Sequence, residues 1–493
     1  MAPSTVAIVG AGIGGLTAAS LLASRGVGVT VLERAAIPGG KMRTVEIGGR
    51  RLDAGPTVFT MRWVFEEIFA EAGAALANRL TLRPAAALAR HAWSADERLD
   101  LFADIDRTAD AIGRFAGAAD ARGYRAFCAR ARDVYRVLEG SFIRAAAPTP
   151  VSLVRAAGLR GFRDLARISP FDTMWRALGE HFRDARLRQL FGRYATYCGS
   201  SPFLAPATLM LIAHVEQDGV WLVEGGMHRV AAALAELAGE HGAAFRYGAH
   251  VAEIAVARGR AAGVVLASGE RLEADAVIVN ADAAALATGR FGRAVAAAVT
   301  APPAAARSLS ALTWAMTAET AGFPLLRHNV FFSGDYPAEF ADLFERARLP
   351  AAPTVYVCAQ DRGDTDHQPD GKERLLCLVN APATGDRQTP NATEIGRCTE
   401  ATFGLMRRCG LTIRSQPEET RLTTPADFEA MFPATGGALY GPATHGAMAS
   451  FRRPAARTRL PGLVLAGGSV HPGAGVPMAA LSGRLAAQAV LRS

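Results

Sequence analysis

Short, unbroken apolar runs punctuate the chain and predict most of its architecture. Thr5-Val-Ala-Ile-Val9 is mostly β-branched and apolar, the pattern of a parallel strand buried on both faces. Leu16 to Ser24 follows with the Ala/Leu density of a packed helix, and Gly26 stands where such a helix ends. A second strand is predicted over Val27 to Leu32, closing at Glu33. Far downstream, Tyr247 to Ala255 alternates, Gly263-Val-Val-Leu-Ala267 is apolar, Gly269-Glu270 marks a turn, and Ala276-Val-Ile-Val279 is again a buried-type strand. Leu463-Val-Leu465 predicts one more strand, and a helix runs from about Pro477 through Leu491, with proline in its first turn.

Between these runs the pattern changes. Residues 66–216 are expected to be mostly helical, since Arg107 to Glu139 and Phe171 to Gln189 carry apolar residues at three-to-four spacing. Residues 301–430 mix strand-like runs, Thr354-Val-Tyr-Val-Cys358 and Arg374-Leu-Leu-Cys-Leu-Val379, with helix. That mixture suits a sheet forming the floor of a substrate chamber.

Composition narrows the options. Half of the 493 residues are hydrophobic and 20% are charged, which is globular and leaves room for two or three structural regions. The net charge of +8 is scattered without a Lys/Arg run, which excludes a nucleic-acid arm. Cys128, Cys198, Cys358, Cys377, Cys398 and Cys409 form neither a CxxC pair nor a metal-ligand spacing. They predict free thiols in a reducing, cytoplasmic compartment, no metal, and no redox dithiol. The N-terminal residues serve as the first strand rather than as a signal peptide. The longest apolar stretches, Ser201 to Val215 and Ala294 to Ala306, are broken by prolines and fall short of the roughly 20 residues of a spanning helix. A soluble protein, or one seated on a single membrane face, is expected.

The first strand runs directly into Gly10-Ala-Gly12-Ile-Gly14-Gly15, which fits G-x-G-x-x-G at Gly10, Gly12 and Gly15. Gly10 permits the tight turn, Gly12 admits a pyrophosphate against the backbone, and Gly15 lets helix and strand pack closely. The helix start then offers free N–H groups to phosphate. Glu33 is placed to accept ribose hydroxyls, and its charge argues against a 2′-phosphate. Past Glu33 come Pro38-Gly39-Gly40-Lys41-Met42-Arg43-Thr44 and Asp53-Ala-Gly55-Pro56. Such a second glycine pair suits a loop lying across the pyrophosphate, with Arg43 or alternatively Lys41 neutralising a phosphate.

The stretch from Val6 to Pro56 resembles the extended N-terminal fingerprint of the FAD-dependent amine oxidase and phytoene desaturase superfamily. The resemblance implies FAD, and an adenine contact through the backbone of Val251. Gly467-Gly468-Ser469, then His471-Pro-Gly473-Ala-Gly475-Val-Pro477-Met478 and Ser482-Gly483, resembles the C-terminal signature of carotenoid desaturases. It implies Gly468, Ser469, Val476 and Met478 against the flavin, with the helix start aimed at the N1–C2=O edge. Within that segment His471 is expected on the flavin side, without a proton-transfer role. The fold expected is α/β: a discontinuous Rossmann-like FAD-binding domain of the glutathione-reductase and amine-oxidase type, a mixed-sheet substrate domain, and a helical region with a membrane-facing option. The FAD-binding parts fall at 1–65, 217–300 and 454–493, the helical region at 66–216 and the substrate domain at 301–453.

Gly39 to Met61, Gly225-Gly226-Met227 and Tyr194 to Pro202 look most like the 1-hydroxycarotenoid 3,4-desaturases of purple photosynthetic bacteria. That resemblance implies C3–C4 dehydrogenation of an acyclic carotenoid, association with the inner or photosynthetic membrane, and transfer of electrons to a quinone or another acceptor. The absence of a second G-x-G-x-x-G agrees with such an acceptor. Residues 151–175, with Arg155, Arg160, Arg163 and Arg167 among apolar residues, fit either a membrane interface or an ordinary packed amphipathic helix, and the resemblance favours the membrane. No catalytic base stands out. Glu216, Asp218 and Glu224 look like surface or loop acids, and His214 like a packed histidine. The rivals are a phytoene desaturase, a flavin amine oxidase and a carotenoid isomerase or binding protein. The amine oxidase is poorly supplied with aromatics, because only Tyr440 follows Tyr356 among tyrosines and no Trp follows Trp314.

Overall fold

The computed structural model describes residues 3–153, 171–300, 302–364 and 368–492. Three stretches far apart in sequence build one parallel sheet, in the order Leu463–Leu465, Ala276–Val279, Thr5–Val9, Gly28–Glu33 and Ala244–Tyr247. Thr5–Val9 lies at its centre and serves both faces. Val6 and Ile8 pack among the helices Ile13–Ala23, His228–Glu240 and Val476–Leu491. Ala7 and Val9 face the antiparallel meander Val251–Ala257, Arg260–Leu266 and Arg271–Glu273. Burial on both faces is why this strand is a continuous apolar run rather than an alternating one.

The first and last helices pack almost backbone to backbone. A methyl group at Gly483 would stand 2.1 Å from the Gly14 carbonyl oxygen. The Ser482-Gly483 pair therefore sets how closely the C-terminal helix approaches the glycine loop.

The second sheet has eight strands. Its order is Thr412–Arg414, Ser310–Ala321, Glu373–Ala381, Val355–Ala359, His328–Phe331, Ala87–Ala92 and Arg98–Phe102, with Thr420–Thr423 paired beside Ser310–Ala321. All pairs are antiparallel except His328–Phe331 with Ala87–Ala92, so the sheet is mixed. Residues 87–102 fall in the block expected to be mostly helical but form two strands of this sheet. Ala-Leu-Ala-Arg-His-Ala lacks β-branched residues, so its strand character comes from its neighbours and not from local propensity. Apart from the short strand Leu82–Pro84, the regular elements of this block among the described residues are helices, Ile105–Ala116 and Ala118–Leu138 being the longest of those described. The block closes over a separate aromatic core of Phe127, Phe182 and Phe191.

The basic segment expected at a membrane interface lies largely outside the described residues. Val151 and Phe171, on either side of residues 154–170, are 61% and 88% exposed. No helix among the described residues is long and apolar enough to cross a membrane.

Asp53 links the helix layer of the parallel sheet to the second sheet. Its carboxylate accepts the N–H groups of Met227 at 2.7 Å and His228 at 3.2 Å, at the start of helix His228–Glu240. Its backbone exchanges two hydrogen bonds with the side chain of Gln360, which directly follows strand Val355–Ala359 of the second sheet. Gly226, with φ +92, leaves the space; a methyl there would lie 2.4 Å from the Asp53 carboxylate. Gly55 is equally constrained, since a methyl would meet the Lys41 carbonyl at 2.0 Å. Asp53→Ala strands two buried donors, and we expect about 2 kcal/mol lower stability, measured as a lower denaturant midpoint.

Candidate functional site

A continuous cavity of about 1450 Å³ is lined from both sheets. That exceeds the ~300–1,000 Å³ of common small-ligand sites and suits a large cofactor together with a long substrate.

One end is built by the N-terminal unit. Gly10, Gly12, Gly14, Glu33, Gly40 and Val251 all line it. The Glu33 carboxylate is buried and fixed, one oxygen accepting from Ala11 N–H and the other from Ala35 N–H, both at 2.8 Å. The two glycine loops touch: Gly39 N–H donates to the Ala11 carbonyl at 2.8 Å, and a methyl at Gly40 would lie 3.2 Å from the Gly12 Cα. Gly15 stands behind the cavity wall, where a methyl would meet the Gly10 carbonyl at 2.2 Å. Its role is the close helix–strand packing.

Asn280 organises this loop and has no counterpart in the glycine motif. Its Nδ2 donates to the Gly10 carbonyl at 3.1 Å. Methyl groups at Gly12, Gly14 and Gly467 would fall 2.8–2.9 Å from its side-chain amide. The glycines thus accommodate a side chain of the protein as well as leaving backbone open to a ligand.

Two helix starts face the cavity. Neither Gly12, ahead of Ile13–Ala23, nor Gly475, ahead of Val476–Leu491, supplies a side-chain cap, so first-turn N–H groups are left for a ligand. Gly468, Ser469, Val476 and Met478 line this part, and Ser469 Oγ also accepts from Ala283 N–H at 3.2 Å. Lys41 and Arg453 bring two cations here. Lys41 Nζ donates to the Leu439 carbonyl at 2.7 Å and sits 5.3 Å from the Phe432 ring centre. Arg453 donates to the carbonyls of Gly468, Tyr440 and Pro442 at 2.8–3.1 Å. Burial pulls both below their ordinary values, and the Asp282 carboxylate opposes this.

Two expectations are corrected. Arg43 does not reach the cavity; its guanidinium donates to Thr423 Oγ1 at 3.2 Å and lies over Phe428, leaving Lys41 as the cation of that loop. His471 does not line the cavity, although the adjacent Pro472 does. The histidine ring turns away, Nε2 meets the Ala145 carbonyl at 2.8 Å, and Phe142 packs edge-on at 5.0 Å.

These residues fit FAD. An extended groove carries a fixed carboxylate at one end, a glycine-lined turn with an open helix start, two cations, and a second open helix start.

Beyond this cradle the chamber is apolar, lined by Val58, Leu138, Ile143, Leu209, Ile212 and Phe451. It also holds a polar cluster that sequence pattern did not expose. Arg193 donates to Tyr197 Oη at 3.2 Å and lies 5.3 Å from both the Tyr197 and Tyr356 ring centres. Glu216, taken as a surface acid, is buried in the cavity wall and accepts Tyr194 Oη at 2.7 Å. Burial pushes its carboxyl up, while bonds from Tyr194 and Tyr197 oppose the shift. Asp218 and Glu224 are exposed. Tyr356 Oη lies 2.7 Å from both Thr57 Oγ1 and His328 Nδ1.

Burial drives His328 and His91 down to about 3. Both must charge on acid unfolding, so their stabilisation is present above about 6.5 and is lost as pH falls towards 3. The two add up to about 3 kcal/mol of lost stability per pH unit within that window, and melting temperatures followed from pH 7 to pH 4 should fall accordingly. His328→Gln should flatten the slope.

The profile of the family described as flavin containing amine oxidoreductase matches residues 13–491. The chain is 58% identical over 487 residues to a hydroxyneurosporene desaturase of Rubrivivax gelatinosus, covering 99% of this chain and 93% of that one. A hydroxyneurosporene desaturase of Cereibacter sphaeroides is 46% identical, with 99% and 97% covered. Among solved structures, an oxidoreductase from Methanosarcina mazei has the same fold, with a TM-score of 0.59, 17% identity and coverage of 99% and 100%.

Proposed function

This chain belongs to the flavin-containing amine oxidoreductase family, and on that premise we propose that it desaturates a 1-hydroxylated acyclic carotenoid at C3–C4. Its cofactor is FAD. Glu33 and Val251 would hold the adenosine, the two glycine loops and the start of Ile13–Ala23 the pyrophosphate, and Val476–Met478 the flavin edge. When bound, FAD supplies the hydride acceptor for an allylic C–H bond while the neighbouring carbon releases a proton.

The observation that carries the reading is the continuity of the FAD cradle with a long apolar chamber. Such a chamber holds a polyene in line, excludes water, and needs few polar groups. The full-length likeness to hydroxyneurosporene desaturases supports the substrate class. An amine substrate is disfavoured by Arg193, whose guanidinium already occupies the space between Tyr197 and Tyr356 and would repel an ammonium ion.

The carotenoid enters from a membrane surface. Val151, Phe171, Leu204 and Met448 are large exposed apolar residues on segments that border the chamber, and Phe171 and Met448 line it directly. Electrons then leave to a quinone or another acceptor. Holoenzyme in liposomes, supplied separately with phytoene and 1-hydroxyneurosporene, tests the reading through product spectra. Desaturation of the hydroxylated carotenoid is expected; conversion of phytoene alone would overturn it.

A further inference from the structure

The apolar chamber contains a polar cluster that hydride transfer does not require. Arg193, Tyr197, Tyr336 and Tyr356 all face the cavity, and Glu216 stands in the same wall. Three features mark the cluster as a ligand subsite rather than packing. Arg193 contacts no carboxylate in the described residues; its neighbours are the hydroxyl and ring of Tyr197 and the ring of Tyr356. The Tyr336 hydroxyl is buried and finds no hydrogen-bond partner among the described residues. Buried hydroxyls are normally paired, and one left open in a cavity wall points to a missing partner. Finally, Tyr356 is braced by Thr57 and His328, and Glu216 in the same wall holds Tyr194, so the polar groups around Arg193 are held in position.

The cluster also lies beside the cradle. A methyl at Gly199, two residues after Tyr197, would meet the Tyr440 ring at 2.5 Å. The Tyr440 carbonyl is held by Arg453, which also holds Gly468 of the C-terminal glycine segment. A 1-hydroxyl is only two carbons from C3, so a group that recognises it has to stand next to the reacting bond. A polar site deep in the apolar tunnel would be too far away.

We propose that Arg193 and Tyr336 bind the tertiary hydroxyl of the carotenoid end group and select 1-hydroxylated chains over unhydroxylated ones. The hydroxyl accepts from the Arg193 guanidinium and donates to the Tyr336 oxygen, which satisfies both of its capacities. An unhydroxylated end group leaves the Tyr336 hydroxyl desolvated and unpaired and offers the Arg193 guanidinium no acceptor beyond Tyr197, which is a strong basis for rejecting an analogue. With Tyr197 and Tyr356 the guanidinium also closes the tunnel, placing C3–C4 and no later bond at the flavin. This inference rests on the desaturase reading above.

The test compares kcat/KM for 1-hydroxyneurosporene and neurosporene with holoenzyme in phosphatidylcholine liposomes. The unmodified enzyme should prefer the hydroxylated substrate by at least about a hundredfold. Tyr336→Phe removes a hydroxyl that makes no internal bond, so folding and flavin content should be unchanged while the preference drops about tenfold. Arg193→Met, at similar length without charge, should bring the preference close to unity and raise turnover of neurosporene. Flavin absorbance shows whether each variant has folded. Equal preference in the unmodified enzyme, or an unchanged ratio in a flavin-loaded Tyr336→Phe, would overturn the subsite and leave the desaturase reading intact. Turnover of neither carotenoid would overturn that reading itself.

Discussion

Gly15→Ala should purify without flavin. The added methyl would lie 2.2 Å from the Gly10 carbonyl oxygen and 3.1–3.2 Å from the Asn280 side chain. The first contact is with backbone and cannot be relieved by a rotamer change, so strand Thr5–Val9 and helix Ile13–Ala23 have to separate. Their separation moves Gly10 and Gly12 away from the cavity wall and carries the open helix start with them. Gly14 is squeezed from the other side, against Gly483, so the helix has little room to retreat. We expect FAD affinity to fall at least a hundredfold and activity to vanish, measured by flavin absorbance per protein after desalting. Full flavin content with normal turnover would show that Gly15 packing does not set the cradle.

Arg453→Met should be nearly as severe. Gly468 and Tyr440 line the cavity from two separate segments, Pro442 follows Tyr440, and one guanidinium bonds all three carbonyls. Methionine fills similar volume but leaves these acceptors buried without a donor, at a cost of about 1–3 kcal/mol each. It also removes a cation from the cavity wall, where Lys41, Arg34 and Arg290 remain. The variant should lose most of its flavin and unfold at several degrees lower temperature, and Arg453→Lys should restore only part of either property, because an ammonium cannot span three carbonyls. Flavin content and a thermal melt on the same samples separate a collapsed wall from a lost charge.

The legible part of this molecule is the part whose chemistry is local. Thr5 to Glu33 encodes strand, turn, helix, strand and terminal acid in one continuous stretch, and each lies within a few residues of where the pattern predicts. The C-terminal helix was equally legible, because Gly475 and Pro477 punctuate its start. The residues that complete the site act across the fold. Asn280 reaches Gly10 across 270 positions, and Asp53 reaches Met227 across 174. Arg453 meets its three carbonyls only after the chain has closed. Such side chains look ordinary in sequence because their meaning is in their partners. Arg43 and His471 show the reverse error. Both sit in suggestive motifs, but Thr423 with Phe428 draws one guanidinium away and the Ala145 carbonyl draws the other ring away. Glu216 reads as a surface acid because the helix Leu211–Asp218 ends in acids, and nothing local shows which of them turns inward.

Anaerobic mixing of FAD-loaded protein with one equivalent of 1-hydroxyneurosporene tests the central claim most directly. With no acceptor present, the account predicts bleaching of the flavin together with one equivalent of a carotenoid lighter by two hydrogens and absorbing further to the red. A flavin that stays oxidised beside a carotenoid of unchanged mass would contradict it.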